Sequence, residues 1–291
     1  MATLRRCHLR LPRSGRPGAP IDPVSPADVL ASLGAGLAVT AVWVVLLWLI
    51  GIVRRDVSVI DAVFSLIVVS TVVVGGVVVG DPYGPRAVLI VGLLGLWSAR
   101  LTAYLTWRKW GEGEDPRYTR LRSWTAEGLP FHLLALRRVF GLQGAVLYLL
   151  SVPAVVAVAS PTPTRLGPWS VAGTLVWAVG FVFESVGDHQ LVRFRRDPAN
   201  RGRVLDTGLW RYTAHPNYFG EIVMAWGVFL ACLDVRWALL GVPGPVLYTR
   251  LILTTTGTPT LEKRLRRTRP GYAEYLERTS SFWPRPPRRR D

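Results

Sequence analysis

The sequence predicts an all-α, polytopic membrane fold of about seven transmembrane helices, with a C-terminal cytoplasmic amphipathic helix. Three observations carry this expectation. Half of the 291 residues are hydrophobic and the mean hydropathy is +0.28, yet the formal net charge is +16. The apolar residues gather into seven runs, most of them long enough to cross a bilayer. The 35 basic residues, nearly all arginine, lie between those runs. Basic loops around apolar spans account for this combination, which a soluble protein rarely shows. Nucleic-acid binding fits poorly, because no single soluble face collects the charge.

Residues 1–27 read as a basic, disordered arm with five arginines and no acid before Asp22. The arm lacks the apolar core and cleavage site of a secretory signal, so it is set apart as an arm or a targeting segment. The membrane domain is assigned to 28–284, and a basic tail to 285–291.

Within that domain, span 1 is 29–53, closed by Arg54, Arg55 and Asp56. Span 2 is 57–80 and carries one charge, Asp61. The Pro/Gly-rich segment 81–85 reads as a tight turn before span 3 at 87–107. A polar loop, 108–138, leads to span 4 at 139–159. Span 5 is 166–187, and the loop 188–216 holds six arginines. Spans 6 and 7 are 217–233 and 237–258, the last weakened by Pro243, Gly244 and Pro245. Residues 259–283 read as a polar helix.

The loops 108–138 and 188–216 and the C-terminal region hold most of the basic charge. The other loops carry Arg86, Arg165 and Arg236, one each. The positive-inside rule therefore puts the C-terminus in the cytoplasm and, with seven spans, the N-terminus outside. The five-arginine arm pulls the other way. In a bacterium the membrane would be the cell membrane. Cys7 and Cys232 cannot build a disulfide framework, and no His or Cys neighbours them at ligand spacing, so no metal is expected.

Glu184 and Asp188 fall one helical turn apart, so both carboxylates share a face at the end of span 5. Ionisable groups there are costly without a partner or a water-filled cavity. Facing an arginine-rich loop, they suit a polar ligand. The carboxylates can accept from ribose hydroxyls, while Arg193, Arg195 and Arg196 can take phosphates.

The segment 208–221, Gly-Leu-Trp-Arg-Tyr-Thr-Ala-His-Pro-Asn-Tyr-Phe-Gly-Glu, places unusual hydrogen-bonding capacity at the entrance of an apolar run. Pro216 suits a first helical turn, and Asn217, Tyr218 and Glu221 then crowd one side. The helix N-terminus with Arg211 could hold a pyrophosphate, and Asn217 could pair with a carboxamide. Tyr212 and His215 complete the candidate set. A capped helix start would explain some of this, but capping needs neither His, Tyr nor Glu.

Asp61 is flanked by Val59, Ile60, Ala62 and Val63, where a carboxylate is either functional or paired, with Arg100 the nearest candidate. Tyr104 is either an interfacial tyrosine or a phenolic acid in a pocket. Glu112, Glu114, Asp115, Arg117 and Tyr118 read as a charged loop, solvated in the simpler reading and a lid in the other. Glu262, Arg266, Tyr272 and Tyr275 fall on a helix that either closes over a cofactor or lies on the membrane.

The run "HPNYFGE" followed by "WG" resembles the C-terminal motif of the membrane-embedded steroid 5α-reductase superfamily, in particular its DUF1295 branch. "DVSVIDAVF", "LWSARLTAYLTWRKWGEGEDPRYTRLR", "RVFGLQG", "ESVGDHQLVRFRRDPANRG" and "PGYAEYLERTSSFWP" resemble family elements in the same order. Two positions depart from the branch: Phe64 stands where Trp is usual, and Thr213-Ala214 where Ser-Arg is common, so Arg211 would have to replace a phosphate ligand. The resemblance implies a seven-helix fold in which Glu184, Asp188, Arg195, Asn217, Tyr218 and Glu221 surround NADPH. The related isoprenylcysteine carboxyl methyltransferases share "HP-x-Y-x-G" but bind S-adenosylmethionine.

The expected activity is therefore NADPH-dependent reduction of a carbon–carbon double bond conjugated to a carbonyl, in a steroid-like or other lipid substrate. Tyr104 and Asp61 would serve the carbonyl side, and Arg211, Tyr212 and His215 join the cofactor residues above. A methyltransferase of a lipid or prenylated substrate, using S-adenosylmethionine, is the first alternative. A non-catalytic lipid-binding protein is the second. Membrane lipids are the other expected partners.

Overall fold

The computed structural model of the chain describes residues 24–79, 84–163, 165–255 and 257–288. Most of the N-terminal arm with Cys7, most of the turn at 81–85, and the end of the basic tail lie outside them. Among the described residues all regular structure is helical. The long helices are α1 (Pro26–Arg54), α2 (Ile60–Val77) and α3 (Pro85–Lys109). A short α4 (Pro116–Arg122) precedes α5 (Leu129–Ala135), which runs through a π turn, Leu136–Gly141, into α6 (Leu142–Ala159). Then come α7 (Pro168–Arg196), α8 (Pro216–Ala231), α9 (Pro243–Thr254), α10 (Thr258–Thr268) and α11 (Tyr272–Arg278).

Among the described residues six helical stretches are long and apolar enough to cross a membrane. The expected count of seven is not reached on length, because α8 has only 16 residues, roughly 24 Å at 1.5 Å per residue. The fourth stretch starts at Leu129, ten residues before the expected span. Leu129, Phe131 and Leu133–Ala135 make the preceding turn apolar too, and the π turn joins the two pieces.

Each start has a local cause. Ser25 accepts from the Asp28 N–H and Asp28 answers, a capping box ahead of Pro26. Across the fold Asp234 accepts from the Gly167, Trp169 and Ser170 N–H groups and from the Ser170 hydroxyl, and so caps α7. Burial works against the charge of Asp234, but these donors outweigh it and hold the carboxyl below the usual range.

Polar pairs join α1, α2 and α3: Thr40 to Thr71 at 2.9 Å, Trp43 to Ser70 at 2.8 Å and Ser65 to Thr102 at 2.9 Å. In lipid such pairs add specificity that apolar contacts cannot.

The tightest contact is between α7 and α8. Gly173, Gly180 and Gly187 recur every seven residues on α7, and Gly220 and Gly227 do so on α8. A Cβ on Gly180 would lie 2.6 Å from the Gly220 carbonyl oxygen, and one on Gly220 would lie 2.5 Å from the Glu184 nitrogen. Only backbone fits there. Gly180→Leu should therefore lower the thermal midpoint in detergent by the cost of overpacking, about 1–3 kcal/mol or more. Gly92→Leu, on an open face of α3, should leave the midpoint unchanged.

Candidate functional site

The glycine seam presses the last turns of α7 onto the start of α8 and so assembles the ionisable cluster. Glu184 and Asp188 are both buried, at 3% and 4% exposure. Arg100 from α3 reaches both: Nη2 lies 2.8 Å from Glu184 Oε1, and Nη1 lies 3.0 Å from Asp188 Oδ2. Asn217 Nδ2 donates to Asp188 Oδ1 at 3.3 Å. Glu221, one turn further on, accepts from the Tyr248 hydroxyl of α9. One buried oxygen, Glu184 Oε2, has no hydrogen-bond partner among the described residues. A buried acceptor without a donor is unusual enough to ask for a ligand.

Outside this cluster an open groove of about 590 Å³ runs between α3 and α7, walled by Arg100, Tyr104, Asp188, Arg193 and Arg196. Tyr104 carries the Arg108 guanidinium 5.2 Å from its ring centre and Arg100 at 6.0 Å. Arg195 lies in the field of Arg108, Arg264 and Arg269, contributed by α3, α10 and the turn after it. None of these four arginines forms an ion pair among the described residues. Like charges converge where an anion would be welcome.

The remaining predicted residues divide. His215 is 1% exposed, stacks on Tyr218 with centroids 5.6 Å apart, and sets Nε2 3.2 Å from Glu262 Oε1 of α10. Arg211 and Tyr212 are exposed. No hydrogen bond or ion pair joins either side chain to the carboxylate pair among the described residues. Instead the Tyr212 carbonyl accepts from the Arg285 N–H at 3.0 Å.

Asp61 sits in the first turn of α2 and is bound to loop residues, not to Arg100. Arg117 Nη2 lies 2.8 Å and Lys109 Nζ 3.7 Å from its Oδ2, while the Tyr118 hydroxyl donates to Oδ1 at 3.0 Å. Burial, and then the Asp61 charge beside it, push the Tyr118 hydroxyl well above the ordinary phenol range, so it stays a donor. The loop expected to be solvated is thus largely tied down. Glu114 holds the Val57 N–H at 2.8 Å and Arg122 Nε at 2.8 Å. Asp115 takes Arg117 Nε at 3.1 Å.

The sequence pointed to Arg100 only as a candidate mate for Asp61, and it gave no sign of Tyr248. An arginine inside a long apolar helix was the signal for the first. Tyr248 looked like any tyrosine of a membrane segment. The C-terminal helix is in fact two, α10 and α11, folded back on the 208–221 segment. Ala214 N donates to Ser280 O at 2.8 Å, and the Thr213 hydroxyl to Phe282 O at 2.7 Å.

Fold and cluster together describe a polytopic membrane protein with a buried ionisable centre. Family comparison agrees: the family described as "Protein of unknown function (DUF1295)" matches residues 47–279, and the chain belongs to it. An uncharacterised protein of Schizosaccharomyces pombe, C594.04c, is 28% identical over 229 residues, 69% of this chain and 64% of that protein. The 3-oxo-5-alpha-steroid 4-dehydrogenase 1 of Bos taurus is 31% identical over 84 residues, 28% of this chain and 33% of that one. A probable O-methyltransferase of Ustilaginoidea virens, ustE, is 32% identical over 68 residues, 23% of this chain and 24% of its own. The chain thus spans under two thirds of the first relative and a third or less of the other two. No solved structure matches it significantly. These likenesses agree with the superfamily that the motifs resemble.

Arg100→Met leaves two buried carboxylates without a counter-charge, which should cost about 3–5 kcal/mol of stability. Adding Glu184→Gln and Asp188→Asn to it should recover most of that loss in a thermal melt. No recovery would mean that Arg100 acts by packing alone.

Proposed function

We propose that this protein is a membrane-embedded reductase that uses NADPH to saturate a carbon–carbon double bond conjugated to a carbonyl in a steroid-like or other lipid substrate. The observation that carries the reading is a groove lined by Asp188, next to Glu184 on the same helix face, and by Arg193 and Arg196, which form no ion pair among the described residues. A phosphorylated dinucleotide presents hydroxyls to the first and phosphates to the second. Distant likeness to proteins named steroid 4-dehydrogenases supports the reaction class.

The cofactor residues are Glu184, Asp188, Arg195, Asn217, Tyr218 and Glu221, with His215 positioning Tyr218 by stacking. Arg211 and Tyr212 belong to the proposed set only as the outer rim. Glu184 Oε2 is free to accept a ribose hydroxyl or a carboxamide N–H. Asn217 Oδ1 accepts from the Tyr218 N–H, so its remaining amide hydrogen is what it can offer a ligand. When bound, NADPH supplies hydride. The chain's part is to orient that donor, exclude water and hold the charge that develops on the substrate. Tyr104 borders the groove, and Asp61 anchors the loop beside it. We assign these two to the substrate-carbonyl side as the first pair to test.

The methyltransferase reading has the ustE likeness in its favour. S-adenosylmethionine, however, carries no phosphate and leaves the arginine cluster unused. Equilibrium binding on purified protein separates the two. NADPH should bind, and Asn217→Ala should weaken it by up to about tenfold, the upper end of what one neutral hydrogen bond contributes. Binding of S-adenosylmethionine with none of NADPH would sink the reductase.

We further infer that the C-terminus is cytoplasmic, in the cell membrane if the source is bacterial, because the loops around Asp115 and Asn200 are the arginine-rich ones. Cysteines introduced at 115 and 200 should react with a membrane-impermeant maleimide only after permeabilisation. Labelling of both on intact cells would reverse the topology.

A further inference from the structure

Three groove residues of α3, Arg100, Tyr104 and Trp107, fall on one helix face at i, i+4 and i+7. They climb that wall from the buried carboxylates to the outer end of the groove. On the facing wall α7 runs from Asp188 to Arg196, two turns of helix or about 12 Å. The walls touch at both ends. Arg100 holds Glu184 and Asp188 at the inner end, at 2.8 Å and 3.0 Å. At the outer end the Arg196 guanidinium lies 5.2 Å from the centre of the Trp107 ring.

Trp107 is 51% exposed, yet its side chain lines the groove. Trp110, three residues on, is 82% exposed and does not. A membrane-interface role suits Trp110 and leaves the inward placement of Trp107 unexplained. One guanidinium can cover only one face of an indole, so the other face stays available to a flat ligand. Tyr104 offers less, because Arg108 at 5.2 Å and Arg100 at 6.0 Å both attend its ring. An aromatic plane beside unpaired arginines fits a nucleotide base beside its phosphates.

The direction of the ligand follows from the chemistry. Hydride has to be delivered where an apolar substrate can meet it, inside the bundle beside Glu184. The other end of the dinucleotide then lies outward, where Trp107 is the largest flat side chain of the groove. We propose that Trp107 is the stacking platform for the adenine of the dinucleotide, with Arg196 fixing the plane of the indole and Arg193 meeting phosphate. The assignment rests on the reductase reading and adds the orientation of the cofactor, nicotinamide inward and adenine at the mouth. Stacking ignores the edges of the base, so Trp107 contributes affinity and orientation, while the arginines select for phosphate. Trp107 stands apart from the reacting atoms and is a binding residue.

The probes are NADPH, 2′,5′-ADP as its adenine end, and reduced nicotinamide mononucleotide as its other end, each titrated into purified protein. Trp107→Leu keeps an apolar side chain but cannot stack. It should weaken NADPH and 2′,5′-ADP about tenfold, within the range that one lost base stack costs, and leave the mononucleotide within twofold. Trp107→Phe should recover most of the loss, and Trp110→Leu should change none of the three. Melting midpoints should stay at the wild-type value, since both tryptophans are exposed. Trp107→Gln is the second non-stacking variant if Trp107→Leu does not fold. Equal weakening of both halves, or 2′,5′-ADP that binds the non-stacking variants as it binds wild type, overturns the proposal. So does wild type that binds NADPH but not 2′,5′-ADP. Wild type that binds none of the three is a different result and removes the reductase reading itself.

Discussion

The rest of the molecule depends on the seam of glycines between α7 and α8. Lipid tails supply no hydrophobic drive between helices, so close backbone approach has to hold two such segments together. Gly173, Gly180, Gly220 and Gly227 allow that approach, because a methyl group at any of them would meet backbone or a Cβ within 3 Å. The consequence is chemical as well as mechanical. Only at this separation can Asn217 reach Asp188, and only then do Glu184 and Glu221 belong to one cluster.

That cluster would be prohibitive without Arg100. Two carboxylates on one helical face repel each other and lose hydration together. A single guanidinium with its fork of donors serves both, which a lysine could not do with the same geometry. The arrangement still leaves one carboxylate oxygen without a donor.

The C-terminal helices act on the same region from the polar side. Glu262 meets His215, Ser281 donates to Glu262, and the Tyr275 hydroxyl donates to the Trp210 carbonyl. The exposed residues of α10 include four basic ones, Lys263, Arg264, Arg266 and Arg267, while Leu261 and Leu265 are partly covered. Closing the 208–221 segment and presenting basic side chains outward are thus two faces of one short helix.

Hydropathy by itself determined the all-helical membrane class, because a span must satisfy its own backbone in lipid and so must be a helix. Charge spacing did the same for Glu184 with Asp188, since i and i+4 always share a face. The crossing count was less legible: α8 has the composition of a span but not its length, and α5 joins α6 through a π turn that no periodicity marks. Partners across the bundle were not legible at all. Arg100 lies 84 residues from Glu184, and Asp61 lies 56 from Arg117, so nothing local says which acid each arginine takes. The tertiary structure alone decided that Asp61 belongs to the α4 loop, that Arg211 and Tyr212 stay outside the cluster, and that Tyr248 meets Glu221. The physical reason is that hydropathy and local spacing act within a helix, whereas a buried charge finds its mate only after the helices have packed.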